Sequence, residues 1–211
     1  MINAYYFEFL ALCVAIFSYA KLKNSFMVWF IPFLLFTFIS EISSDIIYRK
    51  YGLATDWIYN ILSPLTIVFY GYIFYSFIDK KKFKHMFLFA GLIYLLINIY
   101  VVLTSSKFNI TLLIIGALIQ IILSCYYFYS CLLNDIDLNS YKVKSGLWIA
   151  SGVLVFFAGI SIVYSLLDFI REHHLNIGGV ALYNFVPRCL SIILYTCISI
   201  ALLKWKKPQE I

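Results

Sequence analysis

The feature that most constrains this chain is the recurrence of long apolar stretches, each of a length that can cross a lipid bilayer. A spanning helix needs about 20 mostly apolar residues, and seven such stretches follow one another with short polar connections between them. They lie at about 4–20, 25–48, 57–78, 86–104, 110–133, 145–168 and 178–203. Together they occupy nearly all of the 211 residues. We therefore predict an all-α, polytopic membrane protein that forms a single domain of seven transmembrane helices.

The composition excludes an ordinary soluble domain. Hydrophobic residues make up 64% of the chain and charged residues 12%, whereas soluble domains contain about half and about a quarter of these classes. No polar stretch is long enough for a separate catalytic or DNA-binding domain, so the function is expected to reside in the helices and their connections. The net charge of +6 indicates contact with anionic lipid headgroups of the bilayer, and no nucleic-acid partner is expected.

The basic residues alternate between the two ends of the predicted helices. Lys and Arg collect in the cytoplasmic loops of membrane proteins. The connections after the first, third and fifth segments and the C-terminal tail carry eleven of these residues, whereas the opposite connections carry four. This asymmetry predicts that the N-terminus faces outward and that the C-terminus faces the cytoplasm.

Most of the ionisable side chains within the predicted spans lie in the outer half of the bundle. At about 1.5 Å of rise per residue, Glu41 lies roughly 10 Å below the outer boundary and Arg188 on the order of 15 Å below it. Charges at such depth usually face a bundle interior or a water-filled cavity, because lipid exposure costs several kcal/mol. We predict a Glu41–Arg188 ion pair, which either locks two helices together or belongs to an outward-facing ligand pocket. The predicted pocket residues are Glu8, Glu41, Asp45, Asn60, Asn184 and Arg188.

A short sequence echo relates the two halves of the chain. The Tyr-Asn pair at 59–60 is followed by Pro64, and the Tyr-Asn pair at 183–184 is followed by Pro187. A proline inside a helix frees a backbone carbonyl and can kink the helix. Either the echo arises by chance, or helices one to three and five to seven are parallel repeats around a linker helix, a 3+1+3 plan that some transporters use.

The sixth segment carries small residues at a regular spacing. Ser145, Gly152 and Gly159 recur every seven residues. A face of small residues allows the backbone of another helix to approach closely. The spacing therefore predicts that this helix packs in the middle of the bundle.

The sequence contains only weak patterns for the binding of a metal or a cofactor. The five cysteines lie inside the spans at no metal or redox spacing, and the seventh segment has no central lysine of the kind that a retinal protein needs. Two carboxylates and two adjacent histidines lie at and after the outer end of the sixth segment, but neighbouring histidines in a polar loop are usually solvated. We expect no cofactor and no metal site. The weak candidate cluster is Asp168, Glu172, His173 and His174.

Several stretches resemble a group of small seven-helix membrane proteins of bacteria of the Bacteroidota. They are FISEISSDIIYRKYG at 38–52, DWIYNILSPLTIVFYGYIFYSF at 56–77 and SGLWIASGVLVFFAGI at 145–160, together with a last helix that contains Asn and Cys and ends in lysine. The resemblance extends over most of the chain. It implies a location in the bacterial inner (cytoplasmic) membrane and supplies no catalytic residue.

These features favour a protein that binds or senses a small molecule in an outward-facing polar pocket. The connections are too short for an effector domain, so a sensor would act through a membrane or cytoplasmic signalling partner. The inner half of the bundle offers little polar lining, which favours sensing over transport. A binding role is expected ahead of an enzymatic one. Three alternatives stay open: a small-solute or proton-coupled transporter, an intramembrane lipid hydrolase that uses outer-half carboxylates, and a defence-associated membrane accessory or effector that forms oligomers.

Overall fold

The computed structural model describes residues 5–78, 81–104, 108–133, 140–177 and 179–205, and nearly all of them are helical. Within these residues the strands are two residues long and form a single hairpin, so the chain is all-α as predicted. The elements in chain order are α1 (Tyr5–Phe17), α2 (Tyr19–Leu22), a 3-10 turn (Phe26–Trp29), α3 (Phe30–Tyr51), α4 (Asp56–Phe77), α5 (Lys81–Thr104), α6 (Ile110–Leu133), α7 (Tyr141–Ser165), α8 (Leu167–Glu172), β1 (Asn176–Ile177), β2 (Val180–Ala181) and α9 (Leu182–Lys204).

Five of these helical segments are long and apolar enough to cross a membrane. In the described part of the first and fourth predicted segments, the apolar helical stretches Tyr5–Phe17 and Leu88–Thr104, the latter within α5, are shorter than this length. The chain is therefore a multi-pass membrane protein, whereas the total of seven spans stays a prediction. The five long segments are Phe26–Tyr51, Asp56–Phe77, Ile110–Leu133, Tyr141–Ser165 and Leu182–Lys204.

Some helix boundaries differ from the predicted ones. The second segment was predicted to end at 48 but continues to Tyr51, where Gly52 adopts a left-handed conformation with φ 63° and caps the helix. The seventh was predicted to begin at 178, but residues 180 and 181 form β2, which pairs antiparallel with β1. Gly179, with φ 77°, supplies the positive φ that the hairpin turn requires. This turn delays the start of the last helix to Leu182.

Six helices form a ring. Going round it, α3 packs against α1, α1 against α9, α9 against α7, α7 against α6, and α6 against α4, which returns to α3. The remaining long helix, α5, packs mainly against α4 on the outside of the ring. This arrangement leaves space between α3, α4, α7 and α9 that side chains fill only in part.

Aromatic side chains close one end of the ring. Trp205, which follows α9, makes edge-to-face contacts with Phe26, Phe77 and Tyr141, whose ring centroids lie 5.5–6.4 Å away. These residues mark the start of the 3-10 turn, the end of α4 and the start of α7. We call this end the aromatic end and the opposite end, which carries β1 and β2, the hairpin end.

The face of small residues on α7 packs against α9. A Cβ atom placed on Gly152 would lie 2.7 Å from the Cβ of Cys197, closer than two non-bonded carbon atoms approach in proteins. Nearer the aromatic end, the Ser145 hydroxyl donates a hydrogen bond of 2.9 Å to the Ala201 carbonyl. Close approach of the two backbones accounts for the extensive contact between these helices.

Candidate ligand-binding cavity

A cavity of about 620 Å³ lies inside the ring and extends to the hairpin end. Its walls come mainly from α1, α3, α4, α7 and α9. On α3, the residues Thr37, Glu41, Ser44 and Tyr48 follow one another at intervals of three or four, which places them on one helical face. The charged residues that line the cavity are Glu8, Glu41, Asp45, Arg49 and Arg188.

Glu41 is held by a tyrosine from the neighbouring helix. The Tyr59 hydroxyl donates a hydrogen bond of 3.2 Å to Glu41 Oε2, and the Ser44 hydroxyl donates one of 3.3 Å to the Tyr59 hydroxyl oxygen. These bonds join α3 to α4 across the cavity wall. Arg188 acts on Glu41 as an attractive charge and lines the same cavity, while a direct ion pair between the two stays a prediction.

Glu8 is the one charged residue in the described ranges that is fully buried, with 4% of its surface exposed. Tyr195 on α9 is its hydrogen-bonding neighbour. Glu8 Oε2, however, has no hydrogen-bond partner among the residues that the structure describes. A buried polar atom without a partner costs about 1–3 kcal/mol, and more when it is charged. Glu8 is therefore the least satisfied polar group on the cavity wall.

Asp45 lies at the mouth of the cavity. Its Oδ1 accepts a hydrogen bond of 2.7 Å from Arg49 Nε one turn later on α3, and the two side chains are 39% and 65% exposed. Exposed ion pairs of this kind contribute about 0–1 kcal/mol to stability. Asp45 thus belongs to the predicted pocket, but as part of a solvated pair at its rim.

The two predicted pocket amides differ in position. Asn184 lines the main cavity, whereas Asn60 lines a separate small cavity of about 10 Å³ together with Asn98 and Asn109. The reason is helical geometry: successive side chains are about 100° apart, so Asn60 turns away when Tyr59 faces inward. Asn60 as a residue of the ligand site therefore stays a prediction, and Tyr59 takes the corresponding place on the wall of the main cavity.

A layer of aromatic rings lies beneath the cavity on the side of the aromatic end. Phe33 and Phe69 stack with their centroids 3.8 Å apart, and Tyr70 contacts Phe33 and Phe157 edge-on at 5.7 and 6.1 Å. Tyr70 itself is 1% exposed. The polar cavity therefore ends at this layer, about midway along the helices.

The weak metal candidates do not form a site. Asp168, Glu172, His173 and His174 are all exposed, and among the described residues no three His, Cys, Asp or Glu side chains are grouped to hold a metal ion. His173 lies against the ring of Phe169 at 4.1 Å instead, with its Nδ1 3.0 Å from the Phe169 carbonyl.

The sequence did not single out Tyr59 and Tyr195 as site residues. Tyr59 appeared only as the neighbour of Asn60, yet it begins a row of cavity-lining residues on α4 with the helical spacing 59, 62, 63, 66 and 70. This row includes Ser63 and Thr66, so hydroxyl groups on one face were the available signal.

Comparisons of the chain with protein-family models, with curated proteins and with solved structures found no match.

Proposed function

We propose that this protein binds a small polar molecule in the cavity and acts as a membrane sensor or binding protein together with a partner. The observation that carries the proposal is Glu8, a buried carboxylate that faces the cavity with an oxygen lacking a partner in the described residues. The cavity volume of about 620 Å³ also falls within the range of about 300–1,000 Å³ that small-molecule sites occupy.

The hairpin end is proposed to face outward. Basic residues lie at the aromatic end, in α2 and directly after it and in the first turn of α7: Lys21, Lys23, Lys142 and Lys144. Such a cluster of basic residues marks the cytoplasmic side. With this orientation and seven spans, the N-terminus is outside, the C-terminus is inside, and the cavity opens away from the cytoplasm. We place the protein in a bacterial inner membrane on the resemblance to the Bacteroidota group.

A parallel 3+1+3 repeat is part of the same proposal. In such a plan the linker helix stands apart from the two three-helix units. α5 packs mainly on the outside of α4, which suits the role of linker. The repeated prolines, Pro64 and Pro187, lie inside α4 and α9, which would then be equivalent helices.

The contacts of the cavity support binding over transport or hydrolysis. A transport path would require the aromatic layer around Tyr70 to open. Hydrolysis would require that Glu41 and Asp45 be free to act on a substrate. Tyr59, however, donates a hydrogen bond to Glu41, and Arg49 forms an ion pair with Asp45. A defence-associated effector would act through oligomers, which the cavity neither requires nor explains.

Access to the cavity from outside can be tested with a single cysteine at Ser191. This residue lines the cavity on α9. In a background without the native cysteines, Ser191→Cys in intact cells is expected to react with a membrane-impermeant methanethiosulfonate reagent. Ser76→Cys, close to the aromatic end of α4, is the control and is expected to be protected. Reaction of Ser191→Cys in inverted vesicles but not in intact cells would contradict the outward orientation.

A further inference from the structure

We propose, as an inference that rests on the proposed function, that the ligand is a small organic cation whose ammonium group binds between Glu8 and Glu41. The two carboxyls line one cavity and repel each other electrostatically. An ammonium group carries three hydrogen-bond donors and a positive charge. It can therefore donate hydrogen bonds to both carboxylates and offset their mutual repulsion.

The charges of the described lining residues do not balance. Three carboxylates face two guanidinium groups. Asp45 and Arg49 neutralise each other at the mouth, which leaves Glu8 and Glu41 with Arg188 and one negative charge in excess. Removing an uncompensated charge from water costs several kcal/mol. A monovalent cation restores neutrality in the cavity, whereas an anion would increase the imbalance.

Glu8 marks the position of the ammonium group. Its Oε2 is buried without a hydrogen-bond partner in the described part of the chain. Tyr195 on α9 is the hydrogen-bonding neighbour of this carboxyl group. A donor placed in the cavity between α1, α3 and α9 would complete the hydrogen bonding of this carboxylate. The donor would at the same time separate the negative charges of Glu8 and Glu41.

Aromatic side chains favour an organic cation over a metal ion. Eleven of the 28 described residues that line the cavity are Tyr or Phe, and the faces of such rings attract cations within about 6 Å of the centroid. Tyr70 and Tyr195 interact electrostatically with Glu8, and Tyr59 interacts electrostatically with Glu41. A small inorganic ion would leave most of the 620 Å³ without contacts, whereas the apolar part of an amine would cover these rings.

An ammonium group reaches such a cavity either on a free amine or on an ethanolamine lipid headgroup. The test uses the whole chain in nanodiscs of phosphatidylglycerol, which carries no ammonium group. The probes are phenethylamine, its uncharged analogue 2-phenylethanol and its anionic analogue 3-phenylpropanoate, each at millimolar concentration, and the readout is the thermal midpoint.

Phenethylamine is expected to raise the thermal midpoint of the wild type by several degrees, and the other two probes are not. Glu8→Gln, which keeps the side-chain shape and removes the charge, should lose this response, and Glu41→Gln serves as the second variant should Glu8→Gln fail to fold. Asp56→Asn is the matched control, because Asp56 is an exposed carboxylate at the same end of the bundle and outside the cavity lining. It should keep the full response.

The outcomes separate the two possible sources. If phenethylamine has no effect but added phosphatidylethanolamine stabilises the wild type and not Glu8→Gln, the headgroup is the source of the cation. An equal response to 2-phenylethanol or 3-phenylpropanoate overturns the cation assignment. The absence of a response to phenethylamine and to phosphatidylethanolamine overturns it as well, and this result is expected if protons alone neutralise the carboxylates. The proposed function would still stand if a molecule of another chemistry is released from the wild type but not from a variant with a blocked cavity.

Discussion

Replacing Gly152 with alanine is expected to lower the free energy of unfolding by about 1–3 kcal/mol, the usual cost of forcing extra volume into a packed core. The new Cβ would lie 2.7 Å from the Cβ of Cys197 and 3.5 Å from the Cα of Leu194. Because these two atoms of α9 belong to the backbone or are attached directly to it, the clash can be relieved only if α7 and α9 move apart. In a thermal melt in detergent this corresponds to a drop of several degrees, since 1 kcal/mol shifts the midpoint of a chain of this size by about 2–4 °C.

Gly71→Ala is the matched control for this substitution. Gly71 also lies inside a long helix, but a Cβ placed on it meets nothing within 4 Å. Its melting temperature should equal or slightly exceed that of the wild type, because alanine is favoured over glycine in a helix by roughly 0.5–1 kcal/mol. Similar melting of the two variants would show that α7 and α9 are less tightly packed than the structure indicates.

Neutralising Arg188 is expected to destabilise the protein unless Glu41 is neutralised with it. Arg188 attracts Glu41, and without it the one remaining cation among the described lining residues is Arg49, which Asp45 already neutralises. The repulsion between Glu8 and Glu41 would then lack compensation. We expect Arg188→Gln to lower the melting temperature and the double variant Glu41→Gln/Arg188→Gln to recover part of the loss. The interaction energy from the cycle should reach about 1–3 kcal/mol, as for residues in one charge network.

The exposed pair at the cavity mouth provides the comparison for this cycle. Asp45→Asn and Arg49→Gln remove a hydrogen bond of 2.7 Å, yet their interaction energy should stay below about 1 kcal/mol because the pair is solvated. Additive effects of the Glu41 and Arg188 substitutions would show that these residues do not interact, and the predicted ion pair would then be wrong.

The sequence predicted the helices well because their cause is local. Length and hydropathy decide whether a segment can cross a membrane, and in the described residues five of the predicted segments contain a helix of spanning length and the other two contain a shorter apolar helix. The break between α7 and α8 and the β1–β2 hairpin were missed. The hairpin depends on the positive φ of Gly179, and a glycine beside apolar residues is equally compatible with a membrane helix.

The site could be predicted only in part. Glu8, Glu41 and Arg188 line the cavity, as expected because a charge within an apolar segment must face inward. Asn60 lines the separate small cavity instead, because the rotation of a helix depends on its neighbours and one residue changes the direction by about 100°. Tyr59 and Tyr195 were missed since a tyrosine suits a core, a lipid boundary and a binding site equally, and only packing against α3 and α1 distinguishes these roles.

If the cavity binds a small molecule, the purified protein should release that molecule on denaturation. Wild type and Ser191→Trp, whose indole would occupy the cavity, are purified in parallel, and the released solutes are compared by mass spectrometry. Leu203→Trp is the control, because Leu203 is 55% exposed on the outer face of α9. We predict a polar solute that is released by the wild type and by Leu203→Trp and is depleted from Ser191→Trp. Identical solutes from all three proteins would show that the cavity does not hold a small molecule.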